Sequence, residues 1–240
     1  MTPSAVAARD EGEPETTLRA HHSVTSDDLA HEKPYWNYED IGVFFLILVL
    51  IGFLLRLSVR FHLLSRSELN NPSAPLQFAL IASLSLALYL VLRLRHHKPV
   101  LRQLGWVWPR LGYAVVGLIA GMFLASGIAL YLRFRNQNTP QMGLTELLPL
   151  TVLLGPILEE SFFRGCLLPL LAQTTGKVVA VILTAVLFGL FHQPANLVHW
   201  VSFTATGVAY GWIRVASRST TAAALMHATY NLTVFVSTTF

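Results

Sequence analysis

Polar residues are frequent up to about position 40, then give way to long apolar runs broken by short polar clusters. Read at helical period and length, these runs predict seven spans: 41–55, 76–92, 111–132, 147–172, 178–192, 197–213 and 220–235. Several fall short of the ~20 residues that a bilayer asks for, which leaves merged or re-entrant segments open. The second run stops at Arg93, Arg95, His96, His97 and Lys98. In the third, Gly117 and Gly121 stand in a G-x-x-x-G spacing that lets a neighbouring helix come close. The expected fold is therefore all-α, a multi-pass transmembrane bundle of about seven spans over residues 41–240. Residues 1–40 form an acidic tail, read as disordered at least to position 33. The tail holds no apolar stretch of the kind a cleavable signal peptide needs. Trp36 and Tyr38 stand where an interfacial aromatic belt would begin.

Composition agrees with the pattern. Of 240 residues, 53% are hydrophobic and 12% charged, and mean hydropathy is +0.53. A soluble domain carries about 25% charged residues. A soluble enzyme, a disordered protein and a nucleic-acid-binding module are excluded as first readings, and no nucleic-acid partner is expected. Charge is segregated: residues 1–40 carry nine acidic residues against three basic ones, and the other 200 only four acidic ones. The pI near 9.5 comes from Arg and Lys beside the spans, where they act as topology signals. Their bias toward the side holding Arg93–Arg110, Arg214 and Arg218 favours a cytoplasmic amino terminus; the membrane expected is a bacterial inner membrane. The single cysteine, Cys166, excludes an internal disulfide and reads as a small packing residue.

Two of those four acidic residues lie inside an apolar span. An ionisable group at the centre of a spanning helix costs ~2.5–3.5 kcal/mol on insertion scales and by default marks function. The fourth run contains Glu159-Glu160-Ser-Phe-Phe-Arg164, the fifth ends Phe188-Gly-Leu-Phe191-His192, and the seventh contains His227-Ala-Thr-Tyr-Asn231. Glu160 and Arg164 are i and i+4, so one helix face can hold them as an ion pair. Glu159, turned ~100° away, is left to face a cavity. Pro156 can bend this helix one turn earlier. Rise per residue puts Glu159, His192 and Asn231 roughly 17–21 Å from one membrane side, with His227 a turn lower, so groups from three spans can meet.

A carboxylate with a histidine can deprotonate water, and a second histidine with an asparagine can donate to an oxyanion. That set suits hydrolysis of an amide. There is no H-E-x-x-H, although Glu159, His192 and His227 are types that can also ligate zinc. Phe188 is read as packing beneath His192. His199, without a motif partner, reads as interfacial or structural, and His96 and His97 as solvated loop residues.

These residues resemble the CPBP family, the type II CAAX prenyl endopeptidase and bacteriocin-processing group of intramembrane proteases. That family carries E-E-x-x-x-R, F-x-x-x-H and H-x-x-x-N/D on successive helices, and all three stand here in order over about 150–235. The acidic tail has no counterpart in that pattern. The resemblance implies catalytic roles for Glu159 and His192 in activating water, and for His227 and Asn231 in stabilising the oxyanion. Glu160, Arg164 and Phe188 would support them. The family has been described both as metal-dependent and as glutamate-type; metal-independent chemistry is preferred here, with no cofactor assigned and zinc as the alternative on Glu159, His192 and His227. The implied partners are membrane lipid and a peptide or protein substrate at the membrane. A secondary transporter with buried charges, or a non-catalytic immunity protein of the same fold, are the other readings. An inverted repeat would favour the first, and loss of Glu159 or His192 the second. No repeat is evident, and both residues are present.

Overall fold

A computed structural model describes residues 36–67, 74–97, 99–137 and 150–239; the tail expected at 1–40 falls outside the described residues except for its last five positions. Helix α1 runs Tyr38–Arg60, α2 Ala74–His96, the short α3 Val100–Gln103 and α4 Leu111–Phe134. A continuous but irregular stretch follows: π1 Leu150–Leu154, α5 Gly155–Glu160, π2 Ser161–Leu167 and α6 Leu168–Thr175. Helices α7 Lys177–Phe191, α8 Leu197–Ser217 and α9 Thr220–Thr239 complete an all-α membrane bundle, with no strand among the described residues. Among those residues, three helices (Tyr38–Arg60, Leu76–His96 and Leu111–Phe134) are long and apolar enough to cross a bilayer unaided. Helix α7 is apolar but has only 15 residues, and α8 and α9 trade apolar positions for polar ones facing inward.

Local chemistry explains the boundaries. Asn37 caps α1, accepting from the amides of Glu39 and Asp40, while Asp40 accepts from the Asn37 amide at 2.8 Å. The helix therefore starts before the apolar run does. In the fourth run, α5 and α6 each carry a proline in the first turn, at Pro156 and Pro169. Proline returns no N–H to the preceding turn, and the ladder widens into π turns just before each. The bend expected at Pro156 thus takes the form of a loosened ladder.

Small residues bring the site helices together. At Gly121 a Cβ would collide with the Met226 carbonyl of α9, and at Gly117 one would lie 3.0 Å from the Ala222 carbonyl. The G-x-x-x-G pair is the seam between α4 and α9. At Gly207 on α8 a Cβ would lie 2.9 Å from the Ala185 backbone of α7. The segment after α3 covers the start of α9: the Gly105 carbonyl accepts from the Thr220 amide at 2.8 Å, and the Leu104 carbonyl accepts from its hydroxyl. These bonds satisfy groups that a helix start leaves open.

Two expectations at the amino-terminal end are corrected. Trp36 is not in an aromatic belt: it is 2% exposed, and its indole N–H donates to the Cys166 carbonyl at 3.0 Å. His96 is not solvated: it ends α2 with Nε2 2.8 Å from the buried Asp40 carboxylate, which Arg95 also engages. A buried carboxylate outcompetes solvent for both basic groups, because without them it would be left unpaired out of water.

Candidate active site

Glu159 and Glu160 are adjacent, and the backbone turns them to different surroundings. Glu160 and Arg164 have fully buried side chains, while that of Glu159 is 22% exposed. Arg164 Nη1 donates to Glu160 Oε1 at 3.1 Å and its Nη2 to the Gly207 carbonyl at 2.9 Å. The guanidinium also lies 4.5 Å above the Phe188 ring centroid, so π-faces replace part of the hydration it has lost. The missing side chain at Gly207 permits this arrangement, since it lets α8 approach until its backbone reaches Arg164.

Phe188 and His192 close α7. The His192 amide bonds to the Leu190 carbonyl instead of continuing the regular ladder. Its ring Nδ1–H donates to the Phe188 carbonyl at 2.8 Å. The F-x-x-x-H spacing is therefore a side-chain cap on the last turn. The two rings lie 4.4 Å apart, and Phe203 of α8 stacks on the other side of His192 at 4.5 Å. With Nδ1 committed as a donor, neutral His192 presents a lone pair at Nε2, which lies 3.7 Å from Glu159 Oε2.

His227 arrives from α9 with the same polarity. Its Nδ1–H donates to Glu160 Oε1 at 2.9 Å, and its Nε2 lies 4.0 Å from Glu159 Oε2. Asn231 is buried one turn further along α9. The structure thus brings together Glu159, Glu160, Arg164, Phe188, His192 and His227 from three chain segments, with Asn231 on the helix that carries His227.

Three acceptors converge in consequence: Glu159 Oε2 and the Nε2 atoms of two histidines. Groups of like polarity at this separation need something between or upon them, namely a proton, a water or a cation. The donor set fits zinc chemically, with a carboxylate behind His227 and a carbonyl behind His192 as orienting partners. As placed, however, no three His, Cys, Asp or Glu side chains among the described residues close tightly enough to hold an ion. Tetrahedral zinc separates its ligand atoms by about 3.4 Å, so contraction of a few tenths would be needed. Tyr210, Phe203 and Gly207 also shape the site. No sequence spacing announces them, because each acts through another helix.

A family model described as "Type II CAAX prenyl endopeptidase Rce1-like" matches residues 141–233. A protein of Bacillus subtilis (strain 168) named "Putative membrane peptidase YdiL" is 29% identical over 118 residues, covering 43% of this chain and 48% of that protein. The chain thus spans about half the length of this curated relative. No solved structure matches it. The stretch that this family model matches is the one that holds all three motifs.

Proposed function

We propose that this chain is an intramembrane endopeptidase, hydrolysing a peptide bond in a membrane-associated or lipidated substrate. The observation that carries the reading is the convergence of Glu159 Oε2 with the Nε2 atoms of His192 and His227, at 3.7 and 4.0 Å. The two residues assigned to water, Glu159 and His192, keep 22% and 23% of their side-chain surface open. Those assigned to support are sealed. A purely structural network would not need that division.

In this reading a water donates one O–H to Glu159 Oε2 and the other to His192 Nε2, so its lone pairs point outward. Glu159 takes one proton as the oxygen attacks the carbonyl carbon. The oxyanion forms against His227 and Asn231. For His227 to donate there during the reaction it must take up a second proton on Nε2, while Glu160 holds Nδ1–H at 2.9 Å. The C–N bond then breaks, and Glu159 returns its proton to the leaving amine. Were zinc held instead, Glu159, His192 and His227 would be its ligands, and it would polarise the carbonyl and acidify water. The amino terminus is assigned to the cytoplasm and the membrane to the bacterial inner membrane.

The test is cleavage of a library of lipidated and unlipidated membrane peptides by the purified full chain in detergent, with and without a strong zinc chelator. Wild type is expected to cut and Glu159→Gln not to. Equal activity in Glu159→Gln overturns the general-base assignment. Activity abolished by chelator and restored by zinc overturns the metal-independent one.

A further inference from the structure

We propose that Tyr210 is a positioning residue for His227, fixing the plane of the imidazole so that Nε2 stays trained on Glu159. The inference rests on the proposed role of His227, but its decisive readout does not require cleavage. Tyr210 lies on α8, outside all three motifs, and is 1% exposed. Its ring stacks on His227 with centroids 4.6 Å apart and planes 18° from parallel. The edge of Phe188 meets His227 from a second direction, at 5.8 Å and 76°. The Tyr210 ring also lies beneath Arg164, whose Cζ is 5.3 Å from its centroid. Arg164 bonds Glu160, and Glu160 bonds His227. The contacts therefore close a circuit: His227, Tyr210, Arg164, Glu160 and back to His227.

The circuit solves a geometric problem. One hydrogen bond at Nδ1 holds a point on the imidazole but leaves the ring able to pivot about that point. A modest pivot swings Nε2, on the far side of the ring, by roughly an ångström, and misplacement on that scale costs about 10²-fold in rate. A flat aromatic face against the imidazole removes that freedom. The Tyr210 hydroxyl, in contrast, is buried with no hydrogen-bond partner among the described residues. A buried hydroxyl without a partner destabilises. The aromatic face is thus the working part, and phenylalanine should serve as well.

The test is ¹⁵N NMR of the full chain in detergent, with histidine ring nitrogens labelled and the His227 signals assigned by their loss in His227→Gln. Wild type and Tyr210→Phe should both show His227 fixed with its proton on Nδ1. Tyr210→Leu should show that signature averaged between tautomers. Tyr210→Phe should melt at the same temperature as wild type or higher. If Tyr210→Leu does not hold its fold, Tyr210→Met keeps the bulk without a flat face. An unchanged His227 signature in a folded Leu or Met variant overturns the proposal and leaves Tyr210 as packing. If wild type cuts nothing, the protease reading fails, and the NMR result still decides whether Tyr210 orients His227. Where wild type does cut, Tyr210→Leu should lower kcat about 10²-fold with KM little changed, and Tyr210→Phe should restore it.

Discussion

Two clusters in this bundle are built from the same three kinds of group, a carboxylate, a guanidinium and an imidazole. Near the start of α1, the buried carboxylate of Asp40 is held by Arg95 and by His96 Nε2 at 2.8 Å. Between the site helices, the buried carboxylate of Glu160 is held by Arg164 at 3.1 Å and by His227 Nδ1 at 2.9 Å. The first joins two helix ends, and its arginine is 41% exposed. The second is sealed, and its histidine faces a second carboxylate, Glu159, across 4.0 Å. A buried carboxylate with an arginine and a histidine is thus a packing device in either place. What makes one of them a candidate site is the additional acid on the far side of the histidine, together with His192.

The comparison breaks hardest at Glu160. Glu160→Ala leaves Arg164 buried without its counter-ion, and orphaning one member of a buried pair costs about 3–5 kcal/mol. Thermal unfolding in detergent should show a large fall in Tm and yield. Glu159→Gln, one residue earlier, should leave Tm within a degree or two while cleavage falls about 10²–10⁴-fold. Equal stability losses at both positions would erase the distinction between support and chemistry.

Gly121→Ala tests how the second cluster is held. The new Cβ meets the Met226 carbonyl, next to His227, and backbone cannot yield as a side-chain tip can. The cost should be about 1–3 kcal/mol. The kcat of the variant should fall more than its stability explains, because α9 carries His227 away from Glu160. An unchanged kcat in a folded variant would show that α9 is placed by other contacts.

The two clusters also differ in how legible they are. Glu160 and Arg164 are four apart on one helix, so helical periodicity alone puts them on a common face. His192 caps a carbonyl four residues back, and that relation too is local. Asp40 and Arg95 are 55 positions apart, and Trp36 and Cys166 are 130. No period in the sequence links them, and Trp36 before an apolar run reads equally well as a membrane-surface residue. The seven runs foreshadow the helices because hydropathy marks burial in lipid or protein alike. The same property hides which of them cross a membrane unaided: α8 and α9 spend their inner faces on Thr206, Tyr210, His227 and Asn231. The π turns were foreshadowed only by the prolines that follow them.

Asp40→Asn sharpens the comparison from the other side. It removes the charge that Arg95 and His96 share, but Arg95 reaches solvent and is not stranded. A loss of about 1–2 kcal/mol is expected, below that of Glu160→Ala, with cleavage by the folded fraction unchanged. A fall in cleavage at full occupancy of the fold would mean that the first cluster also serves the chemistry.

The smallest effect should come from Trp36→Phe. The indole N–H is bonded to the Cys166 carbonyl, which lies within π2, the widened stretch between Glu160 and α6. A π turn leaves carbonyls imperfectly matched by their own helix, and an outside donor compensates one of them. Phenylalanine keeps most of the apolar bulk and gives up the donor, which should cost about 1 kcal/mol. Its signature should be local: faster amide hydrogen exchange across 161–168, with α7 and α9 unchanged. If exchange in that stretch does not move, Trp36 is only apolar filling, and π2 is held by Trp106, whose indole donates to Ser161 at 2.9 Å. If it does move, the residues that anchor the first cluster's helix also steady the turn that sets Glu159 and Glu160 facing different ways, and the two clusters are mechanically joined.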